Sequence, residues 1–243
     1  MTTTSPVPPR ARVTGLASMA TRDVLADLAR AWREQGRGEV AFESVGGVDA
    51  ARRIQAREAF DVVVLARAAL DALVAAGRVA AASITDLMRS DVAIAVRAGA
   101  RRPAIDSEDA LRRTVLAAAG VGYSTGPSGV ALLQLFERWG IAETLRERLV
   151  QARPGVPVAS LLANGTVELG FQQRSELMHA EGVDVIGPMP PGIGIVTTFS
   201  GGVCAAASNP ARARELLDFI GSPAGAAIVR RHAMQPVPPH PRG

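Results

Sequence analysis

Asp61-Val62-Val63-Val64-Leu65 is the stretch on which the fold turns. Its aliphatic residues lack the apolar–polar alternation of a half-exposed strand, so it predicts a strand buried on both faces. Such strands lie inside parallel sheets, where helices cover both sides. Upstream, Arg12-Val13-Thr14-Gly15-Leu16-Ala17 predicts another short buried strand, and Ser18 stands where a helix should begin. Val24, Leu25, Leu28, Ala29 and Trp32 then recur at helical spacing until Gly36 and Gly38 stop the helix. Glu39-Val40-Ala41-Phe42-Glu43 alternates as a strand, Ser44-Val45-Gly46-Gly47 reads as a turn, and Asp49 to Glu58 as a helix. Downstream, a helix from Arg67 to Ala76 is closed by Gly77, and Asp91-Val92-Ala93-Ile94-Ala95-Val96 is a further strand.

Strand and helix thus alternate through the first hundred residues, which predicts an α/β fold with a mostly parallel sheet flanked by helices. Pro103 and its polar surroundings mark a boundary, and the pattern then resumes. Helices are expected from Ser107 to Gly120, Val130 to Trp139, Glu143 to Val150, Val158 to Ala163 and Ser175 to Ala180. Strands are expected at Val121–Ser124, Val167–Phe171 and Val183–Pro188. The β-branched segment from Gly194 to Ala207 is long enough to run back to the first unit, and helices over 211–220 and 223–232 close the chain.

Nearly half of the 243 residues are apolar, ample for a packed core. No apolar stretch approaches the roughly 20 residues of a membrane span, so direct membrane insertion is not expected. All 27 basic residues are arginine, which excludes lysine Schiff-base chemistry and the P-loop lysine. These arginines are interleaved with acids along helices, without the aromatic-spaced basic stripe of a single-strand binder, so no nucleic acid is expected. The lone Cys204 sits in an apolar run and reads as a buried, inert thiol. The N-terminal stretch lacks the apolar core of a signal peptide. The chain as written therefore reads as cytoplasmic, and as periplasmic or extracellular if its N-terminus is processed or misassigned.

Chemistry gathers at three strand-to-helix junctions: Ser18, Ser44 with Gly46, and the loop carrying Ser124, Thr125 and Ser128. In parallel α/β units such junctions share the carboxyl edge of the sheet, where ligands bind. Helix N-termini there offer unpaired N–H groups, hydroxyls add neutral donors, and Gly46, Gly47, Gly126 and Gly129 admit an anion close to the backbone. The competing account is plain N-capping by serine. Gly126-Pro127-Ser128-Gly129 is not a nucleophile elbow, because its last glycine comes one residue early. Gly120-Val121-Gly122 with Gly126 is only a loose dinucleotide fingerprint. His179, His232 and His240 lack metal-ligand spacing, so no metal or other cofactor is expected. His232 reads as a surface residue at a helix end, and His179 as an exposed one.

Gly15-Leu16-Ala17-Ser18-Met19, Ser44-Val45-Gly46-Gly47, Phe60-Asp61-Val62-Val63, Gly126-Pro127-Ser128-Gly129, Asn164 to Phe171 and Asn209-Pro210 to Pro223 together resemble the periplasmic molybdate-binding proteins of ABC importers. The resemblance spans nearly the whole chain. It implies a class II periplasmic-binding-protein fold: two α/β lobes, two crossing strands, and an oxyanion held in the cleft by neutral donors. Lobe 1 would comprise 10–95 plus 203–235 and lobe 2 96–202, with flexible tails at 1–9 and 236–243. By the same resemblance Ser18 and Ser44 match the hydroxyl donors of lobe 1, and Ser128 matches a backbone donor of lobe 2. The contact preceding Val158 is unassigned.

The family's tyrosine ligand falls on Gln173. Adjacent amides at Gln172 and Gln173 both donate and accept, which suits a small organic acid better than molybdate or tungstate. The first expectation is a solute-binding protein delivering such an anion to an ABC permease, a binder rather than an enzyme. The alternative is an aconitate isomerase-like enzyme working by proton transfer, for which no catalytic residue is singled out. A third is a cytosolic ligand sensor.

Overall fold

The computed structural model describes residues 12–238. His240, the expected tail at 1–9 and the end of the other from 239 lie outside them. In the first lobe, strand β1 (Val13–Ser18) leads through a short turn into helix α1 (Arg22–Glu34), followed by β2 (Val40–Val45), α2 (Gly47–Gln55), β3 (Val62–Ala66) and α3 (Arg67–Ala75). Strand β4 (Thr85–Arg97) carries the chain across to the second lobe. There α4 (Glu108–Ala117), β5 (Val121–Tyr123), α5 (Pro127–Arg138), α6 (Ala142–Leu145), β6 (Leu149–Gln151), α7 (Val158–Ala163), β7 (Leu169–Gln173), α8 (Arg174–Leu177) and β8 (Val183–Pro188) follow. Strand β9 (Val196–Val203) returns to the first lobe, and α9 (Pro210–Ile220), α10 (Pro223–Arg231) and β10 (Gln235–Pro236) complete it.

The strand order is β2-β1-β3-β9-β4-β7-β5-β6, with β8 and β10 also on β4. Strands β2, β1 and β3 pair in parallel, as do β6, β5 and β7, while β4 and β9 run antiparallel to their neighbours. Strand β3 is buried on both faces: Val62 and Val64 join the core under α1, α9 and α10, whereas Val63 and Leu65 join the one under α2 and α3. The second lobe likewise has one core under α4 and α5 and another under α7 and α8.

Asp61, just before β3, ties this lobe together. Its carboxylate accepts from the Thr14 amide at 2.9 Å and hydroxyl at 3.0 Å, and from the Ser208 amide and hydroxyl, both at 2.8 Å. Burial pushes this carboxyl up, yet the hydrogen bonds outweigh it and hold the group below its ordinary range.

Several boundaries differ from expectation. β4 is longer than 91–96, because its polar first half is a partner for β9: residues 85–91 pair there and 92–97 pair with β7 and β8. Strand pairing therefore changes lobe between Asp91 and Val92 on the way out, and β9 joins the first-lobe sheet from Val196. The expected tail from 236 is not free, since Pro236 pairs with Met88 and the buried Val237 donates to the Leu87 carbonyl. The helix expected to reach Val150 stops early, and Leu149–Gln151 becomes strand β6 beside β5. His232 is not a surface residue: it is largely buried with Nε2 3.0 Å from Asp27 Oδ2. Cys204 is buried, and burial, with the Asp61 charge adding, pushes its thiol up to about 12.

Candidate functional site

The carboxyl ends of β1, β2, β3, β5 and β7 meet a cleft of about 550 Å3 between the lobes. Ser18, Gly46, Ser124, Thr125, Ser128, Gln172 and Gln173 all line it. Ser44 does not. It lies within β2, opposite Ala17, because the strand runs on to Val45; the cleft is reached just beyond the strand, at Gly46 and Gly47.

The plain capping account fails for the serines at the cleft. Ser18 makes no side-chain cap bond to the helical turn it precedes. Ser128 lies inside the first turn of α5, its Oγ 3.2 Å from Ser124 Oγ. Helices α2, α3 and α5 begin on the cleft and none has a side-chain cap. By contrast α4, α9 and α10, which begin elsewhere, are capped by Ser107, Asn209 and Ser222. Helices α1 and α6 also start uncapped away from the cleft, but at α2, α3 and α5 the unsatisfied N–H groups and positive dipole ends lie where an anion can reach them. The turn into α5 requires glycine at 129, where a Cβ would stand 1.9 Å from the Ser124 carbonyl oxygen.

The two amides differ in what they can offer. Gln172 is spent on the protein: Oε1 accepts from Val158 N at 2.8 Å, closing the start of α7, and Nε2 donates to Glu176. Gln173 donates to Thr197 Oγ1 at 2.7 Å, but its Oε1 is buried with no partner among the described residues. Turned through 180°, the same amide would present an N–H there instead. Either orientation leaves one hydrogen-bonding atom for a guest.

Two further groups on the cleft wall escaped the sequence reading. Arg153, between β6 and α7, lines the cleft and has no ion-pair partner among the described residues. Glu176, on α8, also faces the cleft, and burial pushes its carboxyl up to about 7 against the opposing pull of the Gln172 amide and the Arg22 guanidinium. Its second oxygen carries no hydrogen bond among the described residues. Neither residue belongs to a motif; Arg153 reaches the cleft from the loop before α7, and Glu176 from α8 itself. Among the described residues no helix is long and apolar enough to span a membrane, and no cluster of His, Cys, Asp or Glu is arranged to hold a metal.

A family model for bacterial extracellular solute-binding proteins matches residues 13–235. The chain belongs to that family. Over 192 residues, 78% of this solute-binding protein and 72% of the relative, it is 38% identical to an aconitate isomerase from a Pseudomonas species. The periplasmic molybdate-binding protein of Azotobacter vinelandii shares its fold with a TM-score of 0.77 at 17% identity, covering 94% of this chain and 100% of that one. The sulfate-binding protein of Mycobacterium tuberculosis does so with a TM-score of 0.75 at 19% identity, covering 94% and 88%. These neighbours establish the two-lobed class II architecture. The solute-binding protein's own cleft adds a guanidinium, an acceptor-or-donor amide and a carboxyl that titrates near neutrality. That set can hold a carboxylated carbon skeleton and move one of its protons.

Proposed function

We propose that this protein isomerises a small unsaturated di- or tricarboxylic acid by shifting a proton between carbons, with Glu176 as the acid–base group. The observation that carries the reading is a cleft carboxyl pushed up to about 7, where a group both accepts and returns a proton efficiently. The likeness to an aconitate isomerase at 38% identity supports it. In the first step Glu176 takes a proton from a methylene beside the double bond. The electron pair left behind spreads over the allyl system into a conjugated carboxylate. Glu176 then returns a proton to the far carbon, and the double bond has moved with no net oxidation.

Charge accumulating on the substrate carboxylates falls to the Arg153 guanidinium, to Ser18, Thr125 and Ser128, and to the N-termini of α2 and α5. The test is an ultraviolet assay for conversion of cis-aconitate to trans-aconitate. Glu176→Gln should lower turnover by roughly 10²–10⁴-fold, the usual contribution of a positioned acid–base group, while calorimetric affinity changes little. Tight binding by the native protein without any conversion would discard the enzyme reading.

A second reading, delivery of a small anion to an ABC permease, is favoured by family membership. It predicts calorimetric binding without chemistry, and uptake that depends on a partner permease.

A further inference from the structure

Behind the cleft lies a second, smaller cavity of about 280 Å3, also between the lobes. Met19, Ala20, Pro157 and Glu176 line both spaces, so these residues form the partition between them. Glu176 is the only one of the four with an ionisable side chain. The smaller cavity is the more polar of the two, with Arg22, Asp23, Ser160, His179, Glu181 and His232 among its lining. Arg22 is held by Asp23 at 2.9 Å and His232 by Asp27 at 3.0 Å. His179 and Ser160 are exposed. A hydrogen bond of 2.8 Å from Ser175 Oγ to the Ala20 carbonyl spans the lobes beside the partition.

We propose that Glu176 exchanges its proton with solvent through this second cavity while substrate fills the cleft, so that the hydrogen delivered to product comes from water. The inference rests on the isomerase reading above. A ligand on the three uncapped helix starts closes the front approach to Glu176, because its skeleton then occupies the space that water would use. The rear cavity stays open to solvent past Ser160 and His179. After abstraction, the Glu176 carboxylic acid gives its proton to water or to the His179 imidazole there and takes one back, restoring the same acid. No co-reactant other than water is consumed. Without a rear route, the abstracted proton would return to the substrate itself and product would keep the original hydrogen.

The experiment is conversion of cis-aconitate in D2O, with deuterium in the product read by mass spectrometry at low conversion. The native protein should give product of which most molecules carry one solvent deuteron. Ser160→Phe places a ring across the rear cavity from an exposed helix position. It should lower the deuterated fraction several-fold while turnover stays within about two-fold. Ser160→Leu, a smaller block less demanding of the fold, should give an intermediate fraction. Unlabelled product from the native protein, or an unchanged deuterated fraction in both variants, would overturn the route and leave the isomerase reading standing. Absence of any conversion by the native protein would overturn both.

Discussion

Glu176 and Gln173 each carry a cost in stability that the proposed function would use. The carboxyl of Glu176 titrates near 4.5 in the unfolded chain and near 7 in the fold. Between those values the native state binds more protons than the unfolded one, so stability falls as pH rises through that window and levels off above it. Converting the shift at 1.36 kcal/mol per unit and discounting for the cleft's solvent gives a loss on the order of 2 kcal/mol. Glu176→Gln should therefore resist urea better than the native protein at pH 8, with the gap closing by pH 5. A gap independent of pH would show that the carboxylate is not desolvated. Catalysis needs the base form, so kcat/KM should rise with pH and flatten above about 7. Gln173 offers a second case. Its atom without a partner among the described residues costs the protein free energy that a guest's hydrogen bond would recover. Gln173→Leu should leave the unliganded melting temperature little changed but weaken carboxylate binding about tenfold, the worth of one such bond. Calorimetry checks both.

For the elements, what matters is that α2, α3 and α5 start uncapped on the cleft itself. Leaving α2, α3 and α5 without side-chain caps forgoes about 1 kcal/mol each, and that deficit is what an anion would relieve. The turn before α2 also meets the opposite lobe. A Cβ at Gly46 would stand 3.3 Å from the backbone nitrogen of Gly155. Gly46→Ala should thus hold the lobes slightly apart and weaken ligand binding several-fold with little loss of fold stability. Unaltered affinity would mean that this contact plays no part in closure. The order of strands and helices was legible because β1 and β3 are apolar runs, β2 alternates, and helices such as α1 repeat an apolar stripe. The cleft positions of Ser18 and Ser128 were legible because they sit where the period changes. Ser44 misled because β2 runs on through it, so the turn was read too early. Strand β6 was hidden because Leu149-Val150-Gln151 follows a helical pattern without a break and gains its strand partner only from β5. Glu176 and Arg153 were invisible: nothing local distinguishes them from the many solvated acids and arginines, and only the packing of α7 and α8 against the cleft sets them apart.

For the whole molecule, the size and polarity of the cleft bear on which ligand it takes. A tetrahedral oxyanion fills only a fraction of about 550 Å3, and much of the wall is apolar. Val48, Val130 and Val156, which are 59%, 55% and 41% exposed, all border the cleft, so large aliphatic surface faces the space between the lobes. A carbon skeleton bearing carboxylates would cover that surface, whereas a hydrated oxyanion would not. Closure of the two lobes would be a hinge motion drawing on both kinds of contact. Ligand at a hundred times its dissociation constant stabilises by about 2.7 kcal/mol, which for a chain of this size is roughly 5–10 °C in melting temperature. cis-Aconitate and trans-aconitate should produce shifts of that order, and Arg153→Gln should remove most of the effect by taking away the guanidinium that pairs with a carboxylate. Molybdate, tungstate and sulfate, lacking a skeleton to meet the valines, should shift it far less. Thermal denaturation across this panel separates the cases. If molybdate matches the tricarboxylates and Arg153→Gln is without effect, the cleft recognises oxyanion geometry through its neutral donors alone, and the carbon-acid assignment fails.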